Sequence, residues 1–264
     1  MIPSQIKEMM KQNRNYYLLG FLILFLLKLI YSRAGAVSLK WILAPTAWLV
    51  SLLSGVPFTW NPYAGYVNHS IRFIIAPSCS GIQFLIITIA VMIFSFIHRM
   101  NTKKKGYHFI VISLIFSYLF TISVNSLRIV LSIFLPEYFS KWKLFNSFLT
   151  PERLHTLIGI LLYFSSLLVF YPLTDYLSKQ FVKDHAPCLS CQSKYSQLAK
   201  WLIPIFWYVS IVLGIPFLTG IFKGNILTPS FTEYAGFVLT ICLLILCISR
   251  VPVILSRSLN KEKK

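Results

Sequence analysis

Residues 107–129 read YHFIVISLIFSYLFTISVNSLRI, and this stretch decides the fold class. It contains one arginine, Arg128, and no acidic residue. A helix needs about 20 largely apolar residues to cross the hydrocarbon of a bilayer, and this stretch is that long. A single segment can satisfy all its backbone polar groups in lipid only as a helix. The stretch therefore predicts a transmembrane helix.

Apolar segments of similar length lie on both sides of it. In the whole chain of 264 residues, 56% are hydrophobic and 12% are charged, against about 25% charged residues in a soluble domain. We therefore predict an all-α, polytopic transmembrane helix bundle of about six spans plus one interfacial or half-buried helix. The other apolar segments are Tyr16–Tyr31, Leu39–Leu53, Ser80–Ile97, Leu154–Leu177, Trp201–Phe222 and Glu233–Val251.

The net charge of +18 would also suit a nucleic-acid-binding protein. However, the basic residues form short blocks between apolar segments instead of one soluble face. Such blocks are typical of cytoplasmic loops, so we expect a plasma-membrane protein with lipid around it, cytoplasmic termini and no nucleic-acid partner. The blocks expected in the cytoplasm are Arg99–Lys105, Lys179–Lys200 and Arg250–Lys264, and the extracytoplasmic connections are Val56–Ser78, Val130–Arg153 and Lys223–Thr232.

The first two apolar segments leave alternatives open. Tyr16–Tyr31 is long for the apolar part of a signal peptide, and more spans follow, so we expect an uncleaved anchor. Leu39–Leu53 contains Lys40 and Pro45, which favours the interfacial or half-buried helix. The alternative is an external N-terminus with both segments crossing.

Three residues capable of acyl-transfer chemistry are predicted at the extracytoplasmic ends of three different spans. Cys79 precedes the span Ser80–Ile97, at a helix N-terminus that would favour a thiolate. Arg128 lies near the end of one span, and His155 at the start of the next. A thiol that attacks a carbonyl, an imidazole that moves protons and a cation that stabilises negative charge form a cysteine acyl-transfer site. Each residue alone has an ordinary structural explanation, so only the combination carries this prediction.

The strings around these residues are Pro77-Ser-Cys-Ser-Gly-Ile82, Asn125-Ser-Leu-Arg-Ile129 and Leu154-His-Thr-Leu-Ile-Gly159. In these strings, and over roughly 39–177, the chain resembles the exosortase/archaeosortase family of membrane transpeptidases. It is most similar to the short bacterial branch called exosortase K. The resemblance implies a cysteine peptidase or transpeptidase that recognises a C-terminal sorting tail, made of a short motif, a transmembrane helix and a basic cluster. Such an enzyme cuts exported proteins near the motif, outside the membrane, and transfers them to an acceptor.

The resemblance also implies a role for individual residues. Cys79 would be the nucleophile, Arg128 the electrostatic stabiliser and His155 the general acid and base, while Asn125 would orient Arg128 or the substrate. The domain organisation would be an exosortase-like catalytic membrane domain at 1–178, a cytoplasmic basic loop at 179–200 and a C-terminal helical hairpin of two spans with a basic tail at 201–264.

Other candidate residues have weaker signals. His69 and Arg72, in the outer loop before Cys79, are predicted with Asn125 to bind substrate. The segment His185-Ala-Pro-Cys-Leu-Ser-Cys191 has metal-like spacing but offers three ligands where a structural zinc needs four, so we predict no metal and no cofactor.

Two functions of other classes compete with the enzyme. A transporter or flippase would use Arg128 as an anion site. A non-catalytic component of a surface polysaccharide assembly system would need none of the chemistry at Cys79.

Overall fold

The structure is a computed structural model, and it describes residues 11–100, 102–140, 151–182, 194–222 and 229–261. Within these ranges the chain is mostly helical, with a small sheet between the second and third helices. The helices are α1 (Arg14–Arg33), α2 (Lys40–Ser54), α3 (Ile82–Phe96), α4 (Lys103–Ser140), α5 (Pro151–Val182), α6 (Lys194–Val209), α7 (Ile215–Phe222) and α8 (Pro229–Lys261). Two short 3₁₀ turns, Pro77–Cys79 and Ile97–Arg99, flank α3, and a π-helical turn, Ser210–Gly214, joins α6 to α7.

Five helical stretches in the described residues are long and apolar enough to cross a membrane, and the apolar part of α8, Phe231–Cys247, is somewhat shorter. This confirms the prediction of an all-α polytopic membrane bundle. Helix α2 has 15 residues, fewer than the roughly 20 that a crossing needs. The five stretches are Arg14–Arg33, Pro77–Arg99, Lys103–Pro136, Arg153–Gln180 and Leu202–Ile221.

Helix α3 is the centre of the bundle. Almost all of its side chains are buried, among them Phe84, Ile87 and Ile93. It packs against α1, α4, α5 and α6, while α2 packs along α4. Helix α1, in contrast, leaves large apolar side chains such as Phe21 and Phe25 exposed, as expected of a surface that faces lipid. The central position of α3 places both of its ends among the neighbouring helices.

A three-stranded antiparallel sheet precedes α3, and the sequence analysis did not predict it. Its strands are β1 (Thr59–Asn61), β2 (Gly65–Asn68) and β3 (Phe73–Ile75), in the order β1-β2-β3. Gly65 has φ +103°, and a side chain there would collide with the carbonyl oxygen of Ile75. Strand β3 leads through Ala76 directly into the 3₁₀ turn that carries Cys79.

At the far end of α3, three charged side chains join α3 to α5. Arg99 forms an ion pair with Asp175 at 2.8 Å and donates a hydrogen bond of 2.6 Å to Ser178 Oγ. Lys179 binds the other oxygen of Asp175 at 2.8 Å. We call these residues the Arg99 cluster.

The C-terminal helices pack onto the rest of the bundle. Helix α6 contacts α3 and α5, and α8 contacts α5. An exposed ion pair of 2.7 Å joins Arg153 to Glu233. The predicted loop 179–200 includes helical residues at both ends, since α5 continues to Val182 and α6 begins at Lys194. The metal-like segment with His185, Cys188 and Cys191 lies outside the described residues.

Candidate active site

Cys79 lies on the last residue of a 3₁₀ turn, three positions before the first residue of α3. The chain enters the helix through Gly81, whose φ of +75° is in the left-handed region that favours glycine. A Cβ on Gly81 would lie 2.9 Å from Cγ of Asn125. Glycine is therefore required here for backbone conformation and for close packing. The thiol sits just ahead of the helix N-terminus, at the edge of the position that the sequence predicted.

Helix α4 brings three polar residues to the site on one face. Asn125, Arg128 and Ser132 are spaced i, i+3 and i+7, which places them along one side of a helix. Asn125 is fully buried, and its Nδ2 donates a hydrogen bond of 2.7 Å to the carbonyl oxygen of Cys79. The backbone of the 3₁₀ turn is thereby attached to α4.

Helix α5 supplies the opposite face with the same kind of spacing. His155, Gly159 and Tyr163 follow each other at i, i+4 and i+8. A Cβ on Gly159 would lie 2.9 Å from Nε of Arg128, so only glycine leaves room for the guanidinium to lie flat against α5.

The thiol, guanidinium and imidazole meet at one atom, Nε2 of His155. Cys79 Sγ lies 3.9 Å from that nitrogen, and Arg128 Nη2 lies 2.8 Å from it. The structure therefore brings together the three residues that the sequence analysis singled out, although each comes from a different segment.

The hydrogen bonds of Ser132 fix the tautomer of His155. The Ser132 hydroxyl donates its one hydrogen to the carbonyl oxygen of Arg128 at 2.9 Å. Its oxygen, 3.1 Å from His155 Nδ1, must then accept a hydrogen bond from that nitrogen. Neutral imidazole has one N–H, so Nε2 carries the lone pair. The unprotonated nitrogen thus faces both Cys79 and Arg128.

Tyr163 holds Arg128 and Asn125 together. Its hydroxyl accepts a hydrogen bond of 3.1 Å from Arg128 Nη1 and donates one of 2.6 Å to Asn125 Oδ1. Its ring stacks on Phe84 of α3 with 4.5 Å between centroids and an angle of 8°. The side chains of α3, α4 and α5 are therefore fixed relative to one another around the site.

Arg128 has no acidic partner among the described residues, where the ion pairs involve Arg99, Arg153 and Lys179. Its guanidinium is held by neutral groups only, and its buried Nε has no hydrogen-bond partner. A charge at membrane depth without a counter-ion is costly, so Arg128 is a candidate for a functional residue.

A cavity of about 210 Å³ adjoins the site on the side of Arg128. Its wall includes Ser78 and Thr156, which are next to Cys79 and His155 in the sequence, together with residues from α1 and from the C-terminal helices. The lining residues are Tyr31, Ser78, Gly81, Ile82, Gln83, Phe84, Ile87, Arg128, Thr156, Gly159, Ile160, Tyr163, Tyr208, Val212 and Tyr234.

The structure does not bring every predicted substrate residue to this place. His69 and Arg72 are exposed in the turn between β2 and β3, and neither is among the described residues that line the cavity. Arg72 also has a positive φ of +52°. A role for these two residues in substrate binding stays a prediction.

Sequence reasoning missed Ser132 and Tyr163, although their spacing offered a signal. Ser132 follows Arg128 by four residues, and Tyr163 follows His155 by eight, so both continue helical faces that already carried a candidate residue.

Comparison with known proteins identifies the family to which the chain belongs. The sequence model of the transmembrane exosortases (Exosortase_EpsH) matches residues 7–172, more than half of the chain. The chain belongs to the transmembrane exosortase family. No curated protein and no solved structure matched.

The family match agrees with the resemblance seen in the sequence and covers every residue of the hydrogen-bonded site. This exosortase is thus, in general terms, a membrane cysteine transpeptidase. Assignment to the exosortase K branch stays a prediction. The match ends within α5, before the described residues of α6, α7 and α8.

Proposed function

We propose that this exosortase cleaves the C-terminal sorting tail of exported proteins at the extracytoplasmic face of the membrane and transfers them to an acceptor. Cys79 would be the nucleophile, His155 the general acid and base, and Arg128 the electrostatic stabiliser. One observation carries the proposal: Cys79 Sγ and Arg128 Nη2 lie 3.9 Å and 2.8 Å from the same unprotonated nitrogen of His155.

The first step uses all three groups. Nε2 of His155 takes the proton of the Cys79 thiol, and the thiolate attacks the carbonyl carbon of the scissile peptide. A C–S bond forms, and the carbonyl oxygen becomes an oxyanion. The Arg128 guanidinium, which lies 2.8 Å from the same nitrogen of His155, would stabilise that charge.

This step requires Arg128 to change partners. Nε2 has one lone pair, and in the resting structure Arg128 Nη2 occupies it at 2.8 Å. The nitrogen can accept the thiol proton only when that N–H turns away. The incoming carbonyl oxygen offers Arg128 a new acceptor, so substrate binding itself would release the base.

The second step completes the reaction. His155 gives its proton to the leaving amine nitrogen, the C–N bond breaks, and a thioester to Cys79 remains. A nucleophile on the acceptor, or water, then attacks the thioester carbon and gives its proton to Nε2 of His155, and sulfur leaves as the thiolate. Return of that proton from His155 to the thiolate restores the resting thiol. Transfer and hydrolysis differ only in this last nucleophile.

The charge distribution supports an extracytoplasmic site. The basic residues Arg99, Lys103 and Lys179 lie at the opposite ends of the helices that deliver Cys79, Arg128 and His155. Basic helix ends are typically cytoplasmic, which would put the site at the other face.

The test is co-expression with an epitope-tagged candidate tail protein. Cys79→Ala should abolish tail processing while the variant stays in the membrane at normal levels. Cys242→Ala is the matched control, since Cys242 is a buried cysteine of α8 and should be dispensable. Processing by Cys79→Ala at the wild-type rate would rule out the thiol mechanism and favour the transporter or the assembly component.

A trapping experiment separates the two steps. Hydroxylamine added to the wild-type enzyme with its tail protein should release the cleaved protein as a hydroxamate, because thioesters react readily with this nucleophile. The mass of the product formed without hydroxylamine then distinguishes a free carboxylate from an acceptor adduct.

A further inference from the structure

The C-terminal helices form part of the wall of the cavity beside Arg128. Tyr208 of α6, Val212 of the π-helical turn and Tyr234 of α8 all line it. These residues lie beyond the segment that matches the exosortase family. The helices whose role the sequence left open thus contribute directly to the surroundings of the catalytic arginine.

The polar groups of this cavity include several hydrogen-bond donors without partners. The hydroxyls of Tyr31, Tyr208 and Tyr234 form no hydrogen bond with any described residue. Tyr208 is only 2% exposed as a residue, and its ring forms part of the cavity wall. Hydroxyl groups that line a cavity without a protein partner can donate hydrogen bonds to a ligand that carries acceptor oxygens.

The charge of the cavity wall indicates which class of ligand would fit the cavity. Arg128 is the one ionised residue among the described residues that line the cavity. Apolar side chains such as Ile82, Phe84 and Val212 lie beside the phenols, and the other polar side chains of the wall are uncharged. A cation would meet like charge without a carboxylate to bind it. A small group with several acceptor oxygens would satisfy both the donors and the charge.

We propose that this cavity binds an oxyanion group, either a carboxylate or a phosphoryl group, carried by the substrate or by the acceptor. Tyr208 and Tyr234 of the C-terminal helices are then specificity-determining residues. This inference rests on the proposed function, because it assigns the cavity to the reaction at Cys79.

The test uses two thiol reagents of similar size and opposite charge. Methanethiosulfonates bearing an ethylsulfonate or an ethyltrimethylammonium group form a disulfide with Cys79, and methanesulfinate leaves. Ser78 and Gly81 line the cavity on both sides of Cys79 in the sequence, so the adduct lies at its border. The rate at Cys79 is followed by peptide mapping of the full chain and normalised to a small neutral thiol reagent. We expect the sulfonate to react at least about 10-fold faster than the ammonium, as a charged hydrogen bond would give.

Variants distinguish a preference for the sulfonate reagent that comes from the cavity from one that comes from the overall positive charge of the protein. The double variant Tyr208→Phe, Tyr234→Phe keeps both rings and removes both hydroxyls, and Val212→Trp fills the space. Both should lose most of the preference for sulfonate. Leu239→Trp is the control, because Leu239 is an exposed side chain of α8 outside the cavity. This variant should keep the preference for the sulfonate reagent. An equal preference in all variants would contradict the site, and so would no preference in the wild type.

Competition identifies the oxyanion. At equal ionic strength, protection of Cys79 by acetate indicates a carboxylate ligand, and protection by inorganic phosphate indicates a phosphoryl group. Protection by neither, relative to chloride, contradicts the proposal. Since no tail protein is used, this experiment can fail while processing by the wild type succeeds, and the two proposals are tested separately.

Discussion

Arg128 and Arg99 lie toward opposite ends of the group of helices α3, α4 and α5. They differ in whether an acidic residue neutralises their charge. Arg99 forms an ion pair with Asp175, stacks on Phe96 and hydrogen-bonds Ser178. Arg128 is bound by a phenol and an imidazole, with no acidic residue of the described chain beside it. The first arrangement neutralises a charge, whereas the second keeps it available.

From this difference we infer that the Arg99 end of the bundle contributes to stability and the Arg128 end to the reaction. An arginine with its own carboxylate gains little from a substrate, since its charge is already compensated. An arginine held only by neutral groups can turn to a developing oxyanion at small cost. We therefore expect substitutions at the Arg128 end to change rate, and substitutions at the Arg99 end to change stability.

The sharpest test of this contrast exchanges arginine for lysine at both positions. Arg128→Lys should lower tail processing by on the order of 100-fold, because lysine cannot bind Tyr163 and His155 at once and leaves the oxyanion less stabilised. Arg99→Lys should process tails at the wild-type rate. Processing is measured as initial rate in membranes with matched enzyme levels, and equal rates for the two variants would remove the distinction.

A smaller effect is expected from Ser132, which contacts His155 at Nδ1, the ring nitrogen that does not face Cys79. Ser132→Ala removes the acceptor of the His155 Nδ1 hydrogen bond, worth about 1 kcal/mol, and should slow processing by roughly five-fold. Ser132→Thr keeps the hydroxyl and should restore the rate. Ser165→Ala is a matched control, since Ser165 makes a similar bond to the helix backbone on α5. If threonine fails to rescue, Ser132 acts through packing and not through the tautomer.

The smallest effect on rate, and the largest on stability, belongs to the Arg99 cluster. Arg99→Met leaves Asp175 with Lys179 alone and should lower the free energy of unfolding by about 2 kcal/mol. This is less than the loss of a fully buried ion pair would cost, because the Arg99 side chain is 28% exposed and solvent screens its charge. Unfolding in mixed micelles with increasing dodecyl sulfate measures this, and processing below the midpoint should stay normal. A loss of activity in the folded variant would show that the two ends are coupled.

Hydropathy was enough to predict the bundle, because lipid demands long apolar helices. It could not give helix ends: the apolar segment 107–129 lies inside α4, which runs from Lys103 to Ser140. A helix continues into water as long as its backbone is satisfied, whereas hydropathy stops where the lipid stops. The strands β1 to β3 escaped prediction because three or four residues are too few for a period of two to be recognised.

The site was predictable as a set of residue types but not as a geometry. The sequence singled out Cys79, Arg128 and His155, but it said nothing of which nitrogen of His155 faces the sulfur. That depends on Ser132 and on the distance between α4 and α5, which Gly159 permits. His69 and Arg72 were weaker candidates in the sequence, and a turn of the sheet leaves them exposed, because loop direction is set by tertiary contacts.

The π-helical turn Ser210–Gly214 has a consequence for how such chains can diverge. A wide turn of this kind accommodates one residue more than an α-helix would over the same length. A one-codon deletion within the turn would remove the extra residue and restore regular winding, and α6 and α7 would keep their present relative orientation. A one-residue deletion in the regular part of α7 would instead rotate α6 by roughly 100° relative to the remainder of α7. The π-helical turn is therefore the place where this part of the chain can lose a residue while Tyr208 stays in the wall of the cavity.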